Sequence, residues 1–155
     1  MIKVAMLWLV DEDGELLLAR RADHKKQDPG LWGPSVTGKL EAGESFEEAL
    51  VREADEELAL KPNTYEPRFL FETDFAHPDG ETRQFRVCVA KVPRAIIGEL
   101  VVDPNEVAEI KWSAIPTIKE LLNSSPGEVV VASAFVLWDQ IFEALTNNDL
   151  HPGQT

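Results

Sequence analysis

Between residues 38 and 60 the chain reads GKLEAGESFEEALVREADEELAL, with eight acids and only two bases, Lys39 and Arg52, in 23 residues. Three of the acids, Glu53, Glu56 and Glu57, are spaced i, i+3, i+4. At about 100° per residue they share roughly a third of a helix circumference. Like charges so placed repel and weaken a helix, a cost that a cation among them reverses. Carboxylate oxygens are hard donors suited to Mg²⁺ or Mn²⁺. Mg²⁺ in particular accepts a half-built protein site completed by waters and substrate phosphates. The plain alternative is a solvated acidic helix face. Gly38 and Gly43 flank the loop before this helix and permit a tight passage that aims a backbone carbonyl at a metal. Arg52 sits beside Glu53 in sequence but at another angle, from which it can pin a carboxylate by a charge-assisted hydrogen bond.

This segment explains much of the overall charge. The 155 residues carry 15 Lys and Arg against 28 Asp and Glu, a net −13 with a pI of about 4.6, and six of those negative charges fall in the 23-residue stretch. A field of that sign repels a nucleic-acid polymer or an anionic membrane surface. A small anionic substrate stays compatible when a divalent ion bridges the two. Against the acidic background, Arg20, Arg21, Lys25 and Lys26 form a basic cluster. The single cysteine, Cys88, excludes an internal disulfide, and no Cys/His spacing offers a zinc site. With three His and one Cys, no nucleophile–base constellation competes. No apolar run approaches the roughly 20 residues that span a bilayer. A cytoplasmic protein is the expectation.

The elements that must position these groups follow from the pattern. Residues 2–10 read as a buried strand, because Asp11-Glu12-Asp13-Gly14 follows at once with no signal-peptide cleavage site. Residues 15–20 return as a second strand, and 21–34 form a polar loop punctuated by Pro and Gly. Residues 45–58 read as a helix with Ser45 as N-cap and Glu48 completing a capping box. Residues 65–75 and 82–92 are β-prone runs joined by the hairpin signal His77-Pro78-Asp79-Gly80. A strand at 107–112, a short helix at 116–122 and an amphipathic helix at 129–145 close the chain. Trp8 and Trp112 belong to the core. The expectation is one α/β (α+β) domain over 1–147, a sheet with helices on its faces, and a flexible tail at 148–155.

The order Gly38, five residues, Glu44, seven residues, then Arg52-Glu53-Ala54-Asp55-Glu56-Glu57-Leu58-Ala59-Leu60 resembles the Nudix box. Eight of nine specified positions match; the departure is Ala59, where the family has Gly at the helix C-terminal end. The resemblance implies an α/β/α sandwich with a mixed sheet and hydrolysis of a diphosphate linked to a nucleoside or another group. It implies Glu53, Glu56 and Glu57 as ligands of Mg²⁺ (or Mn²⁺), one of them also a general base, with the Gly38 carbonyl completing the coordination. Glu44 and Arg52 would orient the carboxylates. Some family members place a further acid where Glu106 or Glu109 stands.

Residues 15–44 also resemble type I isopentenyl-diphosphate isomerase, a Nudix-fold relative that moves a double bond. That family needs a cysteine and a metal-binding histidine where this chain has Thr37 and Lys39, and a later carboxylate pair where it has Arg83 and Phe85. A hydrolase is therefore favoured over an isomerase-like enzyme or a non-catalytic Nudix-fold ligand sensor. In the isomerase pattern the positions of Arg21 and Lys25 hold the diphosphate. The substrate-binding set expected is Arg20, Arg21, Lys25, Trp32 and Lys39, with Trp32 stacking on a substrate group. The partner expected is a small-molecule diphosphate. An exposed β-edge or the C-terminal helix would serve a homodimer.

Overall fold

The strand β1 (Ile2–Val10) is hydrogen-bonded along both edges, which is why it reads as an almost unbroken apolar run. In the computed structural model, which describes residues 1–124 and 132–147, β6 (Thr82–Lys91) runs parallel to it from Ile2 opposite Arg83 to Val10 opposite Lys91. On its other edge β4 (Val36–Lys39) is antiparallel, with Val4 opposite Lys39, and β2 (Leu16–Arg21) pairs with its end. β2 carries β3 (Trp32–Gly33) on one side and β7 (Val107–Ser113) on the other. β5 (Arg68–Ala76) pairs with β6, completing a mixed seven-stranded sheet. Among the described strands β5 has no second neighbour.

Alternation along β1 sends Val4, Met6, Trp8 and Val10 to one face and Ala5, Leu7 and Leu9 to the other. The first set meets Ile118 and Leu122 of α2 (Ile115–Ser124) and Trp138, Ile141 and Leu145 of α3 (Ala132–Asn147). The second meets Ala49, Leu50, Ala54 and Leu58 of α1 (Phe46–Leu58). Helices on both faces give the α/β/α sandwich. No helix of the described residues is long and apolar enough to cross a membrane.

The start of α1 follows the sequence signal. Ser45 Oγ accepts the Glu48 N–H at 3.1 Å and Glu48 Oε1 accepts the Ser45 N–H at 3.0 Å. Its end does not use glycine: Ala59 adopts the left-handed conformation itself, at φ 53° and ψ 32°. Two carbonyls of the last turn are satisfied from far away. The Leu58 carbonyl accepts the Val101 N–H and the Glu57 carbonyl accepts the Asp103 N–H, both at 2.9 Å. The segment between β6 and β7 thus caps the helix that carries the acids.

Other elements differ from expectation in instructive ways. The segment 21–34, expected as a loop, contains β3, and β4 follows it; both are short strands formed because β2 and β1 offer open edges. β5 starts at Arg68 because Pro67 has no N–H to donate, while Tyr65 is buried with α1. The 3₁₀ turns at Pro62–Thr64 and Arg94–Gly98 carried no sequence signal that we read. α3 runs two residues beyond the expected end, and the tail at 148–155 lies outside the described residues.

Candidate active site

Gly38 lies in β4 directly beneath α1. A Cβ at this position would overlap Glu53 Cγ and Cδ, so only glycine lets the strand backbone and the Glu53 side chain approach this closely. Arg52 then fixes the carboxylates around it. Its Nε and Nη2 fork onto Glu44 at 2.8 and 2.9 Å, and Nη1 reaches Glu53 Oε1 at 2.7 Å and Glu56 Oε2 at 3.3 Å. Nη2 also donates to the Lys39 carbonyl at 3.1 Å, so all five guanidinium N–H groups are engaged. Glu44 additionally accepts the Glu41 N–H at 2.9 Å. The Arg52 contact, with that backbone bond, holds the Glu44 carboxyl down to about 2.

The two acids further in have the opposite character. Burial raises Glu53 above the usual carboxylate range, opposed by Arg52 and reinforced by the charges of Glu56 and Glu106. Glu57, 8% exposed, is raised well above that range by burial and then by Glu53; a Thr37 backbone hydrogen bond and Arg21 only partly offset this. Both are hard oxygen donors. Among the described residues no three acidic, His or Cys side chains converge tightly enough to cage an ion, because Arg52 draws the mostly exposed Glu56 to itself. A buried and a part-buried carboxylate, with Glu56 lining the same cleft, fit a divalent ion that keeps waters and takes substrate phosphates.

A cleft of about 830 Å³ opens on this group. It brings together Gly38, Arg52, Glu53, Glu56, Glu57, Glu106, Arg20, Arg21, Lys25 and Lys39. Its lining holds seven of the chain's 15 Lys and Arg but only seven of its 28 acids, so the strongly acidic protein presents a locally balanced cleft. Phosphates are not barred from it.

The cations differ in how committed they are. Arg20 is tied to Glu109 at 2.9 Å and Asp23 at 3.0 Å, and Lys25 Nζ to Glu106 Oε2 at 2.6 Å. Arg21 donates Nε to the Gln27 carbonyl at 2.9 Å and, like Lys39, has no ion pair among the described residues. Trp32 is not brought to the cleft. Lys111 Nζ covers its ring at 4.2 Å and the ring packs against the core. The cleft also contains Gln27, His77, Arg83 and Phe85, to which sequence reasoning gave no role.

The sequence matches the NUDIX domain over residues 1–133. The chain belongs to the NUDIX family. Among curated NUDIX relatives, the isopentenyl-diphosphate Δ-isomerase of Citrobacter koseri is 34% identical over 125 residues, covering 77% of this chain and 65% of that enzyme. The isomerase of Paenarthrobacter aurescens is 35% identical over 134 residues, covering 84% and 67%. The chain thus spans about two thirds of the length of these relatives. Among solved structures, a Deinococcus radiodurans protein superposes with a TM-score of 0.74 at 23% identity, covering 90% of this chain and 82% of that one. The NUDIX domain of Shewanella oneidensis NrtR, complexed with ADP ribose, gives 0.70 at 18% identity, covering 94% and 88%. These structures share the fold.

Proposed function

We propose that this NUDIX protein hydrolyses a diphosphate linkage in a nucleoside diphosphate derivative or a related small phosphorylated metabolite, using Mg²⁺ or Mn²⁺. The observation that carries this reading is the pair Glu53, part-buried, and Glu57, buried, both raised as acids at the wall of a cleft that also holds uncommitted bases. Glu53, Glu56, Glu57 and the Gly38 main chain would hold the metal. Bound there, a divalent ion neutralises the diphosphate and lowers the pKa of water. Arg52 keeps Glu53 and Glu56 in register with the Gly38 backbone. A glutamate of the triad accepts the proton released as water attacks phosphorus. Arg21, Lys25 and Lys39 bind phosphate oxygens, with Arg20 braced behind them by Glu109. Glu106, held by Lys25, adds a carboxylate to the same wall.

The curated relatives' name favours a second reading, an isomerase of isopentenyl diphosphate. Against it stand Thr37 and Lys39 where the isomerase pattern has Cys and His, and Arg83 and Phe85 where it has carboxylates. One experiment separates the readings: incubation with nucleotide and isoprenoid diphosphates, with and without Mg²⁺, followed by ³¹P and ¹H NMR. Metal-dependent phosphate or diphosphate release that Glu56→Gln and Glu57→Gln each abolish is the expected result. Conversion of isopentenyl to dimethylallyl diphosphate would establish the isomerase instead, and tight binding without turnover across the panel would mark a sensor.

A further inference from the structure

Arg21 stands at an awkward place for a residue that must aim at a ligand. It ends β2 opposite Val107, just past a register shift between Arg20 and Arg21 that re-aims the strand's last side chain. Its Nε instead donates to the carbonyl of Gln27, in the middle of the segment between β2 and β3. That segment is held in turn from another element. Gln27 Nε2 lies 2.6 Å from His77 Nε2, a partly buried contact between residues 50 apart in sequence. His77 Nδ1 accepts the Asp79 N–H at 3.1 Å and lies 3.1 Å from Asp79 Oδ1. The buried Arg83 clamps Asp79 with two bonds, of 3.0 and 2.7 Å, and the His77 ring stands edge-on to Phe75.

The series Arg83, Asp79, His77, Gln27 and Arg21 thus joins the β5–β6 hairpin to the basic segment across the cleft. All of its members except Asp79 line that cleft. The series leaves the four Nη hydrogens of Arg21 without an ion-pair partner among the described residues, in the cleft that Glu53 and Glu57 also line. We infer that His77 and Gln27 are positioning residues for Arg21, holding its guanidinium on the diphosphate of the substrate. This rests on the reading of the cleft as a diphosphate site.

The test is calorimetric titration with methylenediphosphonate and Mg²⁺, a probe that cannot be hydrolysed, into the wild type, Arg21→Ala, Gln27→Ala, His77→Ala and the two double variants with Arg21→Ala. Loss of one hydrogen bond between charged groups should weaken binding about tenfold or more in Arg21→Ala. Gln27→Ala and His77→Ala should each weaken it about fivefold in the wild type and have no further effect once Arg21 is gone, since residues acting in series are not additive. A general structural role would instead weaken both backgrounds equally, and that outcome overturns the inference, as does unchanged affinity in Gln27→Ala. Gln27 is only half-buried, so its variant decides the matter if His77→Ala fails to fold. Coupled binding without turnover of any diphosphate would leave this inference standing while the hydrolase reading falls. Wild-type protein that does not bind the probe removes both.

Discussion

Ala59→Gly should stabilise the protein. Ala59 occupies the left-handed region at φ 53° and ψ 32°, where an L-residue with a Cβ is disfavoured by about 1–2 kcal/mol. The backbone cannot relax out of it. Leu58 and Leu60 on either side are buried in the α1 core, the Ala59 N–H is bonded to the Asp55 carbonyl at 2.9 Å, and the Leu60 N–H returns to the Ala54 carbonyl at 3.2 Å. Glycine removes the steric term but adds freedom to the unfolded chain, which takes back about 0.4–1 kcal/mol. The difference of the two central values is a net gain of about 0.8 kcal/mol. For a chain of this size that raises the midpoint by about 1–4 °C. Differential scanning calorimetry and urea denaturation of the metal-free protein measure it, with Ala59→Val as the opposite control, since a β-branched residue is a genuine outlier at positive φ. If Ala59→Gly lowers both midpoints, the end of α1 is not strained and the account of its cap is wrong.

Gly38→Ala places a Cβ inside the Glu53 side chain and displaces its carboxylate by about 1 Å, a misplacement worth roughly 100-fold in turnover; diphosphate release within threefold of wild type would refute this. Glu57→Gln should abolish turnover yet raise the midpoint of the metal-free protein at neutral pH. The folded carboxyl binds its proton more tightly than the unfolded one, so its charge costs stability once pH exceeds the unfolded value, and the gain should vanish in acid. Glu44 has the reverse sign. Its folded pKa of about 2 lies below the ordinary value of 4.5, so the stability it contributes is complete above pH 4.5 and lost as pH falls toward 2. Thermal scans from pH 7 to pH 2 should therefore show a shallower acid limb in Glu44→Gln than in wild type.

The box was legible because its members lie within 23 residues and act through local geometry. Ser45 and Glu48 form the cap that their spacing announces, and Gly38 is glycine for a contact that strand–loop–helix order makes foreseeable. The basic cluster was legible as composition. What each cation does was not, because the partners that separate Arg20 from Arg21 come from β7 and from a main-chain carbonyl. Trp32 shows the limit from the other side: an aromatic in a polar loop suggests stacking, but pairing of β3 with β2 turns the ring toward the core and Lys111. The clasp between Gln27 and His77 had no local signature at all. It exists only because the hairpin and the segment after β2 meet across the sheet.

The end of α1 combines these two kinds of information. Glu56 and Glu57 stand in the last turn, where the helix dipole disfavours negative charge and which itself holds no basic residue. Burial and the neighbouring Glu53 add to the cost at Glu57. Local propensity alone would fray such a turn. It is held by Val101 and Asp103, whose N–H groups satisfy the Leu58 and Glu57 carbonyls, and the same segment continues to Glu106 in the cleft. The segment that stabilises the acidic turn is therefore the one that brings a further acid toward it. That arrangement raises local repulsion where a fold selected for stability alone would lower it, and the added acid makes sense as a ligand-facing group. A divalent ion bound between these carboxylates would relieve the dipole, burial and like-charge terms together, so its binding should stiffen the end of α1 and the segment that caps it.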